Sequence, residues 1–122
     1  MLSAPLPDDA RLPDLAARLA AGNPAPFAGV VHVPSAGVDV VTASPERYLT
    51  RTGDRIVSSP IKGTAPTVEQ MLTKDVAENV MIVDLVRNDL QHVCAPGSVV
   101  VERLCGPEAH PGLVHLVSDV AG

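Results

Sequence analysis

Residues 67–90, TVEQMLTKDVAENVMIVDLVRNDL, read as the one long helix of the chain. Apolar side chains at Leu72, Val76, Val80, Val83 and Leu90 recur close to helical spacing, and that stripe is the expected core face. Thr67 with Gln70 three residues on makes a capping box, which sets the expected start at Thr67. The expected end is near Cys94, ahead of Ala95-Pro96-Gly97-Ser98. Outside this helix the pattern changes to short β-branched runs. Phe27 to Val33 and Val38 to Ala43, separated by Pro34-Ser35-Ala36-Gly37, predict an antiparallel pair. Tyr48 to Thr52 and Arg55 to Ser58 flank Gly53-Asp54 and predict a second hairpin with a tight turn. Val99 to Val101 and Leu113 to Val120 predict two more strands, with Gly106-Pro107 and Pro111-Gly112 as breakers between them. Ser59 to Pro66 holds two prolines and a glycine and reads as irregular. Upstream, Leu12, Leu15, Ala16 and Leu19 mark a short helix with Pro13 in its first turn and Gly22 at its close. The order βββ(β)–α–ββ makes the fold class α+β, antiparallel strands packed with one long helix. Residues 1–22 form an amino-terminal arm and short helix, and residues 23–122 the remaining domain.

Composition narrows the partners. The chain has 122 residues, 46% hydrophobic and 19% charged, which suits one folded domain and not a disordered tail. The net charge of −5 leaves no basic footprint for nucleic acid. The apolar run Val80 to Val83 stops at Asp84, too short to span a bilayer. The amino terminus lacks the basic and long apolar regions of a secretion signal. Cys94 and Cys105 make no disulfide framework, so a cytoplasmic location is expected. With one Phe and one Tyr, the core must be aliphatic.

Several side chains have chemical potential. Lys62 sits in the Pro/Gly-rich stretch ahead of the expected helix start. Unpaired N–H groups there favour an anion, and their positive dipoles would free an amine to act as a nucleophile. A solvated surface lysine is the plainer alternative. Glu46, after Ser44-Pro45, can serve as a general acid or be an ordinary strand-end charge. Asp75 and Glu78 are neighbours on the helix surface and can hold Mg²⁺, while Lys74 and Glu78 can equally form a helix salt bridge. Asp84, Arg87 and Asn88 read as a structural polar network near the helix end. His92, Cys94, Cys105 and His110 lack the paired spacing that marks a zinc site. His115, inside an apolar strand, is either a core histidine bonded to backbone or a proton carrier facing a pocket.

Taken in order, these segments resemble the chorismate-utilising enzyme family. The resemblance rests on Ser44-Pro45-Glu46-Arg47, Pro60-Ile61-Lys62-Gly63-Thr64, the run Lys74 to Leu90, Val93 to Val99, and His115-Leu116-Val117-Ser118, with Asn23-Pro24-Ala25-Pro26-Phe27 upstream. It implies a partial piece of the chorismate-binding α/β sandwich. Lys62 resembles the lysine of the aminodeoxychorismate synthase component I type, where anthranilate synthases carry alanine. In that type the lysine attacks chorismate at C2, the C4 hydroxyl leaves, and ammonia enters at C4 on the route to 4-aminobenzoate and folate. By the same resemblance Glu46 is the general acid, His115 a proton-handling or positioning residue, Gly63 and Thr64 substrate-binding, and Glu78 a Mg²⁺ ligand. A glutamine amidotransferase subunit or domain is the implied source of ammonia.

The family's catalytic domain is more than twice this long, so the resemblance implies its middle portion. An upstream lysine strand, a downstream TGAPK-type segment, the arginine and tyrosine that hold substrate carboxylates, and a second Mg²⁺ glutamate are not in the sequence. The stretch from Thr64 to Lys74 is shorter than the family pattern, and Thr67 replaces its basic residue. The expectation is a truncated reading frame that is inactive alone. The alternatives are an anthranilate or isochorismate synthase-like fragment, or a non-catalytic remnant that binds a partner.

Overall fold

The computed structural model describes residues 5–122, which form an α+β fold in two compact units, the first ending at Pro45 and the second running Glu46–Gly122. The boundary drawn from sequence at 22/23 falls inside the first unit. That unit holds α1 (Leu12–Gly22), β1 (Phe27–Val33) and β2 (Val38–Ser44). The two strands pair antiparallel from Phe27↔Ser44 to Val33↔Val38. Gly37, at φ 62°, takes the left-handed conformation that the turn between them needs. Helix α1 packs on β2 but has no buried residue.

The second unit holds β3 (Arg47–Thr52), β4 (Arg55–Ser59), β5 (Ile61–Ala65), α2 (Thr73–Gln91), β6 (Val100–His110) and β7 (Leu113–Ala121). Strand β7 is its axis. It pairs antiparallel with β6 along one side and with β4 and then β5 along the other, and β3 flanks β4. Val57↔Ala121, Ser58↔Val120 and Ile61↔Val117 share one register, and Ser118 N–H donates to the Pro60 carbonyl between them at 3.1 Å. Strands β4 and β5 are therefore one line of chain interrupted at Pro60. The register then slips by one residue, to Thr64↔His115, with Gly63 at φ 88° in the slip.

Helix α2 covers one face of this sheet. Val83, Leu90 and Val120 form the buried centre, with Ile56, Val86, Cys94 and Val99 packed around them. Asn79 and Ser118 lie in the same layer at 0% exposure.

Four expectations need correction. The stretch Ile61 to Ala65 is a strand, because Pro60 lies at the interruption, where no N–H is needed, and β7 supplies the ladder. Helix α2 starts at Thr73, not Thr67. Residues Val68–Gln70 make a separate 3₁₀ turn, and the capping acid is Asp75, whose carboxylate accepts the Leu72 N–H at 2.8 Å. The face that meets the sheet runs through Asn79, Val83 and Leu90, while Leu72, Val76 and Val80 are exposed. Strand β6 continues through Gly106-Pro107, since it pairs with β7 alone and its free edge tolerates a proline.

A Cβ at Gly63 would stand 2.9 Å from the Asp75 Cβ and 3.2 Å from Leu116 Cδ1, at a backbone angle that disfavours side chains. Gly63→Ala is therefore expected to destabilise the chain by about 1–3 kcal/mol in urea unfolding, and an unchanged midpoint would show that the strand–helix approach is slack.

Candidate functional site

Lys62 and Gly63 lie at the slip in β5, and three anchors fix this point. The Asn79 amide donates to the Lys62 carbonyl at 3.3 Å and to the Leu116 carbonyl at 2.9 Å, tying α2 to both strands. The Asn79 side-chain oxygen accepts the Ser118 hydroxyl at 2.5 Å, and that hydroxyl oxygen accepts the Cys105 N–H at 2.9 Å. The third anchor is Glu46, which accepts the Ile61 N–H at 2.9 Å and so stands beside the residue that precedes Lys62. The side chains of Lys62 and Thr64 are exposed.

The opposite face of the sheet carries polar groups around a buried Val117. Leu116, Ser118 and Val120 point toward α2, and strand alternation turns His115, Val117 and Asp119 the other way. His115 Nδ1 lies 2.8 Å from Thr64 Oγ1, and its ring meets His110 edge-on with centroids 4.9 Å apart. Burial lowers the His115 pKa, and charge on His110 lowers it further. Glu108, the Gly63 backbone and Glu46 act in the opposite direction without prevailing. A histidine in this setting tends to be neutral near pH 7 and can accept a proton.

Next to it lies a network on which sequence reading is silent. Arg103 Nε donates to Asp119 Oδ2 at 2.7 Å, and both its terminal nitrogens reach Glu108 Oε2 at 3.3–3.4 Å. Ser59 donates to the other Asp119 oxygen at 2.5 Å. Gly106 makes room for it: a Cβ there would stand 2.6 Å from the Arg103 Cδ. Burial alone would raise the Asp119 pKa, but the Ser59 hydroxyl and the Arg103 guanidinium outweigh it and bring the carboxyl below its ordinary value. The signal in the sequence is the register Arg103↔Asp119 and Glu108↔His115, hidden once Gly106-Pro107 is taken as a break.

Lys62, Gly63, Thr64, Glu46 and His115 thus occupy neighbouring positions on β5, on β7 and just ahead of β3. Glu78 is not among them; it is exposed on α2. Asp75 is committed to capping the helix, so the Asp75–Glu78 pair is not a free donor set. That same capping carboxylate already occupies the helix start, where an anion was expected to bind. Among the described residues no three His, Cys, Asp or Glu side chains converge as a metal site. Glu78 alone fits as one carboxylate of a Mg²⁺ shell completed by oxygens from elsewhere. Arg87 donates to Asp84 at 3.2 Å, an exposed pair that contributes little.

A model of the chorismate binding enzyme family matches residues 2–122. The chain belongs to that family. It is 41% identical to a probable chloroplastic aminodeoxychorismate synthase of Oryza sativa, over 82% of this chain and 13% of that protein. It is 42% identical to an anthranilate synthase component 1 of Haloarcula marismortui, over 82% of this chain and 22% of the other. Component 1 of the aminodeoxychorismate synthase of Salmonella typhimurium is 39% identical, over 84% of this chain and 25% of its own length. The chain therefore spans a quarter or less of these chorismate-utilising relatives. Among solved structures, anthranilate synthase component I from Streptococcus pneumoniae superposes with a TM-score of 0.73 at 26% identity, over 89% of this chain and 25% of that one. Among the described residues no helix is long and apolar enough to cross a membrane.

The Asp119 carboxylate stabilises the fold at pH values above the ordinary aspartate pKa, and that contribution is lost as pH falls below about 4. Asp119→Asn is expected to flatten the fall in urea midpoint between pH 7 and pH 3. Parallel curves for the two proteins would contradict the pairing.

Proposed function

We propose that these residues are the lysine-bearing strand and helix of an aminodeoxychorismate synthase-type enzyme, which aminates chorismate at C4 for 4-aminobenzoate synthesis. The observation that carries this reading is Lys62, an exposed amine on a backbone pinned by Asn79 and next to the Glu46 anchor. In the proposed reaction the Lys62 amine forms a bond to C2 of chorismate while the C4 hydroxyl leaves as water, its proton supplied by Glu46. Ammonia then attacks C4 as the bond from C2 to the lysine nitrogen breaks, which gives aminodeoxychorismate and returns the amine. His115 takes or positions a proton in this sequence, and Gly63 and Thr64 border the substrate. Mg²⁺, with Glu78 as one ligand, would offset the charge of a substrate carboxylate. A glutamine amidotransferase partner is the proposed ammonia source, and the cytoplasm the proposed location.

An anthranilate-type reaction is the second reading, favoured by the 42% identity to an anthranilate synthase component. The lysine separates the two. In a full-length aminodeoxychorismate synthase, alanine at the position matching Lys62 is expected to abolish a covalent species whose added mass is chorismate less one water. Persistence of that species in the alanine variant would overturn the nucleophile assignment.

The 122 residues alone are not expected to turn over chorismate, since they offer one candidate Mg²⁺ carboxylate and span a small share of their relatives. Aminodeoxychorismate formed from the purified chain with ammonia and Mg²⁺ would contradict this.

A further inference from the structure

His110 has no part in the chemistry above, yet it is the most enclosed ionisable side chain beside His115. Its side chain is 15% exposed. The register Glu108↔His115 and His110↔Leu113 puts His110 diagonal to His115 across β6 and β7, within reach of a long side chain. The rings meet at 4.9 Å and 62°. His110 Nε2 lies 3.2 Å from Glu108 Oε1, close enough for charge attraction but outside hydrogen-bond geometry, while the other Glu108 oxygen holds Arg103. Thr64 closes on His115 from β5. The imidazole of His115 is therefore gripped from two strands, by a hydroxyl on one side and a second imidazole on the other.

We propose that His110, set beside Glu108, is a positioning residue for His115, keeping its ring turned to Thr64 and ready to take a proton. Two imidazolium rings at this separation repel, so charge on His110 disfavours charge on His115. The charged and titratable groups facing His115 are His110 and Glu108 from β6 and Glu46 from just ahead of β3. Strand β5 adds the Thr64 hydroxyl and the Gly63 backbone, and α2 lies on the other face. Glu108 favours the charged form of His115, and His110 opposes it. The value of His115 as a proton carrier rests on the proposed chorismate reading; the coupling between the rings does not.

The test is an NMR titration of the histidine ring protons in the whole chain, with the His115 signal assigned by its loss in His115→Gln. His110→Phe keeps a ring in place without the charge and is expected to raise the His115 midpoint by roughly half a unit to one unit. Glu108→Gln is expected to lower it. Opposite directions distinguish coupling from a general loosening of the strands. An unchanged or lowered midpoint in folded His110→Phe overturns the proposal, as does a raised midpoint in Glu108→Gln. If His110→Phe does not fold, His110→Gln replaces it with the same expectation and the same overturning result. No chorismate enters the experiment, so failure of the lysine-adduct reading and failure of the coupling are read separately.

Discussion

The second unit depends on one buried amide. Asn79 spends both its polar ends inside the unit: on the Lys62 and Leu116 carbonyls on one side and the Ser118 hydroxyl on the other. A fully enclosed asparagine is costly unless satisfied, and here the satisfaction fixes where the helix sits along the sheet. An apolar side chain in its place could pack against Val83 but could not hold the slipped strand, whose Lys62 carbonyl has left the regular register. Gly63 completes the constraint by letting the backbone of β5 come within van der Waals contact of the first turn of α2.

That arrangement separates two kinds of chemistry on one sheet. The α2 side is largely aliphatic, with Asn79, Ser118 and Ser58 as its buried polar residues, and it gives the unit its cohesion. The far side carries His115, Thr64 and Asp119, with Arg103, Glu108 and His110 drawn in by β6. Rigid strands supported from behind are a sound base for reactive groups, because the positions of the groups are set by register and not by loop conformation. The backbone of Lys62 is held by the buried layer while its side chain faces solvent, which gives the amine a fixed origin and freedom at its tip.

Much of the local structure was legible. The runs at Phe27–Val33 and Val38–Ser44, the Gly53-Asp54 turn and the helix from Leu12 to Gly22 follow from β-branching, turn chemistry and short-range periodicity, and the structure shows them where expected. Long-range pairing was less legible. Pro60 and Gly63 have the local signature of a loop, yet β7, about fifty residues later, recruits Ile61 to Ala65 into the sheet. The same partner carries β6 through Gly106-Pro107. Periodicity could not choose Asn79 over Val76 or Val80 as the inward residue, since nothing in a hydrophobic stripe favours an asparagine. The candidate residues Glu46, Lys62 and His115 are scattered in the sequence; the family resemblance groups them, the β5–β7 register sets Lys62 and His115 on adjacent strands, and the Ile61 N–H brings Glu46 to β5.

The central claim is that Lys62, in the complete protein, is the amine that attacks chorismate. The most direct measurement is a crystal structure of a full-length relative that retains these residues, bound to an unreactive chorismate analogue. The expected result places the amine matching Lys62 within about 3–3.5 Å of ring carbon C2, a reactive approach. An analogue seated with that amine directed away from the ring would contradict the claim.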